Sequence, residues 1–167
     1  VKNSLVNFIK EHNPDVICLQ ESGKWPKNTA QSFSKTIGYK YYSYNTKNGN
    51  SYFSKYKIEN VNIFKDENIS KFADIKKINI SKNESFYLVN CHLNSFGISK
   101  EEIEYINDIE NIVKESETHG KSVIYKLKSG FERRTQSTDL LLENLPDDTL
   151  PLIICGDFND TPLSYTY

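Results

Sequence analysis

The chain has 167 residues, which is the length of one ordinary domain. Its 37% hydrophobic and 26% charged residues are typical of a soluble globular protein, and no apolar run approaches the length that spans a bilayer, which excludes a membrane segment in this sequence. The formal net charge of -1 excludes the global electrostatic attraction that drives nonspecific nucleic-acid binding, so any contact with nucleic acid has to be local.

The beginning of the chain predicts an amphipathic helix followed by a buried strand. Apolar side chains recur at three- and four-residue steps, and Pro14 disfavours helical backbone past Asn13. The run from Asp15 to Gln20 is almost continuously apolar, which is typical of a strand buried on both faces, and Glu21 stands at its carboxyl end. The predicted helix face consists of Val1, Leu5, Phe8, Ile9 and His12.

A polar loop and a short helix separate this strand from a series of further strands. The helix is expected from about Ala30 to Ile37, with Gly38 as its stop. Runs rich in aromatic and β-branched residues follow, and Asn48-Gly49 is the strongest turn signal between them. Because no helix intervenes, these runs predict a meander of antiparallel strands. They are Tyr39–Tyr44, Ser51–Ser54, Ile58–Phe64, Phe72–Ile80 and Phe86–Asn90.

The last part of the chain predicts two helices and one more buried strand. The helices are expected from about Lys100 to Glu117 and from about Ser122 to Asn144, and the apolar strand Leu152–Cys155 runs into a polar turn. All elements together predict an α/β fold, a four-layer sandwich in which two packed, mainly antiparallel sheets are flanked by helices. The apolar stripe of the second helix consists of Val123, Leu127, Phe131, Leu141 and Leu145.

The three cysteines, Cys18, Cys91 and Cys155, each lie within an apolar, strand-like run. An odd number at wide spacing favours neither a disulfide framework nor a zinc motif, so we expect buried free thiols. The cellular compartment stays undetermined, because a leader or an anchor in front of Val1 is compatible with the sequence.

Polar residues stand at the ends of three apolar strands. Each residue alone suits a structural role, such as a solvated strand end, a satisfied core histidine or a turn-forming aspartate. Together they favour metal-assisted phosphoryl hydrolysis, in which carboxylate oxygen binds Mg²⁺ or Mn²⁺, an aspartate orients water, and donors hold the phosphate oxygens. The residues are Gln20 with Glu21, His92 with Asn94, and Asp157 with Asn159.

Four motif-like segments occur in order along the chain: Asn13–Glu21, Tyr52–Ile58, Asn90–Leu93 and Cys155–Asn159. They resemble the PDIICLQE, IFSKYPI, THL and GDFN motifs of the endonuclease/exonuclease/phosphatase superfamily, although Lys57 replaces the usual proline. This superfamily includes DNase I-like nucleases, abasic-site endonucleases, neutral sphingomyelinases, inositol polyphosphate phosphatases and deadenylases. The run Phe131–Gln136 also resembles a helix of bacterial members, where an arginine and a glutamine are usual. An exposed helix face is the alternative for Arg133 and Arg134.

The resemblance implies a DNase I-like fold and a phosphate-ester hydrolase that depends on Mg²⁺ or Mn²⁺. It implies that Glu21 binds the metal, that His92 contacts the scissile phosphate, and that Asp157 and Asn159 position the attacking water and the phosphate. It also implies that residues 1–167 are a single domain incomplete at both ends, since the family's first strand and its final Asp-His pair lie outside this sequence. We therefore expect this segment alone to be poorly active.

Substrate and partners are less defined than the reaction. A nuclease-like phosphodiesterase is favoured over a phosphomonoesterase, and an inactive relative that serves as a binding or scaffold module is the alternative. DNA, RNA, a phospholipid head group and a sugar phosphate are not distinguished. We expect a phosphate-ester partner, with nucleic acid as one candidate, no membrane contact and a monomeric protein. The basic clusters at 76–77, 121–128 and 133–134 and the aromatic residues Trp25, Tyr41, Tyr42 and Tyr44 have surface solvation and packing as their ordinary uses.

Overall fold

The computed structural model describes residues 2–22, 25, 28–61, 63–64, 66–95, 97 and 117–160, the side chains of residues 2 and 117–123 excepted. The helix predicted from Lys100 to Glu117 lies outside the described residues except for Glu117, which begins the next helix. In the described parts of the chain, no helix has the length and the apolar character needed to cross a membrane.

The described residues form helices and strands whose bounds follow local sequence signals. Gly38 ends the second helix with a left-handed backbone at φ 82°, and its N–H donates to the carbonyl of Lys35. The helices are α1 (Lys2–His12), α2 (Thr29–Ile37), a short 3₁₀ helix (Ile69–Lys71) and α3 (Glu117–Glu143). The strands are β1 (Val16–Leu19), β2 (Tyr41–Tyr44), β3 (Ser51–Ser54), β4 (Lys57–Asn60), β5 (Ala73–Asn79), β6 (Ser85–His92) and β7 (Leu152–Asp157).

The strands form two sheets. In the first sheet β3 lies between β1 and β2 and pairs antiparallel with both. The second sheet has the order β4-β5-β6-β7, in which β6 and β7 are parallel and the other pairs antiparallel. The predicted meander is therefore divided, because the chain leaves the first sheet after Ser54 and enters the second at Lys57. Alternating side chains mark the buried face of a strand but not the sheet that it joins.

Three hydrophobic clusters define the layers. Tyr52 of β3 and Leu88 of β6 meet between the two sheets. Phe53 lies on the opposite face of β3 and packs with Ile9 of α1. Leu141 of α3 belongs to the cluster on the outer face of the second sheet. The layers are thus α1 with α2, the first sheet, the second sheet, and α3, which confirms the predicted four-layer α/β sandwich.

Several strand bounds differ from the prediction, and the ends of β4 and β6 are two of them. Strand β4 ends at Asn60 instead of Phe64, which packs against the outer cluster from an irregular segment. Strand β6 continues past Asn90 to His92, because its pairing with β5 and with β7 extends that far. The histidine is therefore the last residue of a paired strand and not part of the loop that follows.

The helix faces also differ from the prediction. Phe131 of α3 is 49% exposed, whereas Arg134 is 5% exposed and takes the inward position. An interior carboxylate, Asp160, makes this burial possible by forming an ion pair with Arg134. In α1, Phe8 is 58% exposed and stacks on His12, so the buried face is narrower than predicted.

Candidate active site

Glu21, His92 and Asp157 come together at one rim of the paired sheets. His92 ends β6, Asp157 ends the parallel strand β7, and the two residues are register partners. Glu21 follows β1 in the other sheet. The Nε2 atom of His92 lies 3.9 Å from Glu21 Oε1 and 3.9 Å from Asp157 Oδ2. Both separations exceed a direct hydrogen bond, so two carboxylates flank the imidazole without locking it.

Gly156 allows Asp157 to lie beside His92. Its φ is 155°, and a Cβ atom at this position would lie 1.8 Å from the carbonyl oxygen of Cys91 on β6. Backbone atoms cannot yield to a contact that short. The glycine is therefore required for the close approach of β7 to β6, which places their last residues side by side.

Glu21 has a left-handed backbone conformation, with φ at 57°. Its neighbour Ser22 is buried, and the Ser22 backbone N–H and hydroxyl both donate to the carbonyl of Gly49, at 2.8 and 2.5 Å. The Ser22 hydroxyl also contacts the hydroxyl of Ser51 on β3. A glutamate in this conformation is strained, and such strain concentrates at functional sites. The hydrogen bonds of the buried Ser22 hold Glu21 in this conformation despite the strain.

Asn90 ties the two sheets together directly behind the site. This fully buried side chain donates to the carbonyls of Leu19 on β1 and Ser51 on β3, at 3.1 and 3.3 Å. It also accepts a 2.7 Å hydrogen bond from Gln20 Nε2. The residues before Glu21 are thus fixed to the strand that carries His92. Sequence reasoning missed this role, although a polar residue on the inward face of an apolar strand was a detectable signal.

Asn159 organises the turn that follows β7. Its backbone N–H donates to Asp157 Oδ1 at 2.8 Å, and its Nδ2 atom donates to the carbonyl of Leu93 at 2.7 Å. The first bond fixes one carboxylate oxygen of Asp157 and leaves Oδ2 toward His92. The second uses one of the two amide hydrogens of Asn159, so one remains for another acceptor.

A polar cavity of about 610 Å³ opens at this rim. Glu21, His92 and Asn159 contribute to its lining, and Asp157 is adjacent to His92. The four predicted residues therefore lie close together. Side chains at opposite ends of two packed sheets would be more than roughly 15 Å apart. Their chemical roles stay predictions. The other lining residues are Asn68, Lys71, Phe72, Leu93, Asn94, Ser95, Arg133, Gln136, Ser137 and Leu140.

The two arginines of α3 have different environments. Arg133 is exposed and lines the polar cavity. Arg134 is buried, and its Nη2 atom lies 3.9 Å from Asp160 Oδ2, with side chains only 6% and 11% exposed. A second cavity of about 370 Å³ adjoins this pair. Arg133 is therefore exposed toward the cavity, whereas the exposed-face interpretation was wrong for Arg134, which connects α3 to the turn after Asp157.

Three of the other basic and aromatic residues make ordinary structural contacts. Lys76 is buried and pairs with Asp74 at 2.9 Å, so it is not available to a polyanion, and Lys128 lies 4.0 Å from Glu132. Trp25 packs against aromatic rings of α2 and β3. None of these three side chains lines the polar cavity.

The cysteines are free thiols, as predicted. Cys91 is buried and burial raises its pKa to about 12. A thiol hydrogen bond to Cys155, together with burial, raises the pKa of Cys18. Cys18 and Cys155 are only half-buried, because β1 and β7 are edge strands in the described part of the fold. Thiols of raised pKa are poor nucleophiles and metal ligands at neutral pH.

The carboxylates at the rim suit a hard divalent cation. The side chains of Glu21 and Asp157 are 79% and 51% exposed, and in the described parts of the chain the basic side chain within 4.0 Å of each carboxylate is the imidazole that they share. Those parts contain no group of three or more His, Cys, Asp or Glu side chains arranged to hold a metal. Mg²⁺ commonly takes one or two carboxylates and completes its shell with water and substrate oxygens, which this donor set fits.

The chain was compared with known proteins and with models of protein families, and the family comparison agrees with the motifs. Among solved structures, the chain is similar to the crystal structure of ANGEL2, a 2′,3′-cyclic phosphatase, with 15% sequence identity and a TM-score of 0.48. The superposition covers 97% of this chain and 44% of that one, so this chain spans less than half the length of that structure. No curated protein sequence matches. A model of the Endonuclease/Exonuclease/phosphatase family matches residues 1–167, and this chain therefore belongs to that family.

Proposed function

We propose that this chain carries the active site of a metal-dependent phosphoesterase, which hydrolyses a phosphate ester by attack of water and prefers a phosphodiester. The observation that carries the proposal is the approach of Glu21 and Asp157 to 3.9 Å from His92 Nε2 beside a polar cavity. Membership in the endonuclease/exonuclease/phosphatase family supports the same class of reaction.

Glu21 would hold a Mg²⁺ or Mn²⁺ ion, with Asp157 near enough to contribute a second carboxylate. A bound ion supplies neutralisation of negative charge on the phosphate oxygens. Glu21 suits this role because it is exposed and because Ser22 and Gln20 anchor the backbone on either side of it. A fixed backbone lowers the ordering cost of a ligand when the ion binds, because only the side chain still has to be ordered.

Asp157 would orient the attacking water, and His92 and Asn159 would hold the phosphate. The Asn159 backbone N–H fixes Asp157 Oδ1, which leaves Oδ2 to accept a hydrogen bond from the water. His92 Nε2, when it carries a proton, donates to a phosphate oxygen as negative charge develops. The second amide hydrogen of Asn159 would also donate to a phosphate oxygen, because the first donates to the carbonyl of Leu93.

Replacement of Glu21 by glutamine tests the proposal in the full-length natural protein. Glu21→Gln keeps size and backbone conformation but removes the charge, so we expect the Mg²⁺- or Mn²⁺-dependent hydrolysis of bis-p-nitrophenyl phosphate to fall by at least about a hundredfold. Glu11→Gln, at an exposed position of α1, is the matched control and should retain full turnover. Equal turnover of the Glu21 and Glu11 variants would refute the proposal.

A metal titration separates a catalytic protein from an inactive relative that only binds a partner. Since a ligand that binds the native state alone stabilises it, Mg²⁺ or Mn²⁺ should raise the melting temperature of the wild-type protein. Glu21→Gln should lose most of that increase. If neither metal changes the melting temperature and the protein shows no turnover, the binding module is favoured.

A further inference from the structure

We infer that Lys71 and Arg133 form a second anion-binding subsite, which selects phosphate esters that carry a second phosphate group. The inference rests on the proposed function, because that function puts the scissile phosphate near His92. It adds a property of the substrate: two phosphates within the reach of one cavity.

The two cations line the same cavity as Glu21 and His92 but come from other elements. Lys71 ends the 3₁₀ helix, and Arg133 lies on α3. These two helices pack in one hydrophobic cluster through Ile69 and Leu141, so the cations have a common support. The cavity thus has an acidic part at the strand ends and a basic part at the helices.

Neutral oxygen atoms are the partners of both cations. Lys71 Nζ donates to Asn68 Oδ1 at 2.7 Å, and Arg133 Nη1 donates to Ser129 Oγ at 3.0 Å. Among the residues that the structure describes, no carboxylate lies within 4.0 Å of either cation. Both positive charges are therefore available to an anion. By contrast, five other cations of the chain each have a carboxylate partner: Lys55, Lys57, Lys76, Lys128 and Arg134.

The size and lining of the cavity indicate the class of ligand. A volume of about 610 Å³ lies within the range of pockets that enclose a whole small molecule, and it is much larger than one phosphate needs. Neutral amides and hydroxyls form much of the remaining lining, which suits the hydroxyl groups of a sugar or a cyclitol. Because the chain has a net charge of -1, attraction for an anion has to come from such a local pair.

Matched pairs of ligands test the subsite by binding alone. Isothermal titration calorimetry on the full-length protein compares thymidine 3′,5′-bisphosphate with thymidine 5′-phosphate, and myo-inositol 1,4-bisphosphate with myo-inositol 1-phosphate. We expect the bisphosphate to bind about tenfold more tightly in at least one pair, and this preference should shrink as salt is added. The pair that shows the preference identifies the scaffold that joins the two phosphates.

Variants assign the preference to the two side chains. Lys71→Met and Arg133→Met should each reduce the preference about threefold or more, and the double variant should bring it close to one. Lys35→Met, at an exposed position of α2, is the control and should leave it unchanged. Equal affinity within both pairs, or a preference that survives in the double variant, would overturn the inference. If the protein prefers the bisphosphate but does not hydrolyse bis-p-nitrophenyl phosphate, the proposed function is refuted and the inference about the subsite stands.

Discussion

Glu21 and Asp157 approach His92 from different sheets, and the chain holds them there by different means. Glu21 depends on polar side chains between the sheets, since Asn90 binds the backbone of β1 and accepts from Gln20. Asp157 depends on backbone proximity within one sheet, where β7 runs parallel to β6. The comparison shows that one pair of carboxylates can be positioned by hydrogen bonds on one side and by the absence of a side chain on the other.

Substitutions in the parts of the structure that position Asp157 (the Asp157 side) and Glu21 (the Glu21 side) should therefore disrupt the protein in different ways. A substitution that adds one carbon beside β6 disrupts the Asp157 side, because backbone atoms have no room to move. Loss of a buried amide disrupts the Glu21 side, because it leaves several polar groups without partners. Relief of backbone strain at Glu21 should instead increase the free energy of unfolding, by a small amount.

Gly156→Ala should have the largest effect. A methyl group would lie 1.8 Å from the carbonyl oxygen of Cys91, so β7 would have to separate from β6. We expect a loss of at least about 4 kcal/mol in the free energy of unfolding, or failure to fold, measured by urea denaturation. Gly38→Ala is the matched control: Gly38 also has positive φ but has open space, so its cost should be about 1 kcal/mol. Equal urea midpoints for the two variants would contradict the close-approach argument.

Asn90→Ala should have an intermediate effect. It removes hydrogen bonds to the carbonyls of Leu19 and Ser51 and leaves Gln20 without its acceptor. We expect a loss of about 2 to 3 kcal/mol in the free energy of unfolding together with a lower kcat, since the backbone before Glu21 is released. Asn83→Ala, in an exposed turn, should change stability by less than about 0.5 kcal/mol. A stability loss in Asn90→Ala no larger than in Asn83→Ala would show that the inter-sheet amide is dispensable.

Glu21→Gly should have the smallest effect and should stabilise. At φ 57° glycine has no steric penalty, and the exposed glutamate side chain contributes little packing. Part of this gain is offset by the greater freedom of glycine in the unfolded chain, so we expect about 0.5 kcal/mol more stability than in Glu21→Gln. Urea denaturation without divalent metal makes the comparison. A glycine variant less stable than the glutamine variant would argue against backbone strain at this position.

Much of the site was predictable because its signals are local. Glu21, His92, Asp157 and Asn159 each follow or end an apolar run, and such endings can be recognised within a few residues. Their order also matched a known set of motifs. Asn90 was a weaker signal, because the role of a polar residue in an apolar strand becomes clear only once the facing sheet is known.

Other residues depended on contacts distant in sequence. Arg134 lies in a run that suits an exposed helix face, and only Asp160, brought close by β7, explains its burial. Lys71 and Arg133 are far apart in the chain and share a cavity because two helices pack on the same sheet face. No local pattern carries that information.

By itself, the sequence determined the approximate positions of the described helices and strands, the packing of two sheets between helices, and which polar residues terminate the strands, because side-chain periodicity is a property of neighbouring residues. Only the tertiary structure decided which strands share a sheet, where the chain changes sheets between Ser54 and Lys57, and which charges meet. Those outcomes depend on pairing and packing between distant segments, where the same alternation of side chains is compatible with several partners.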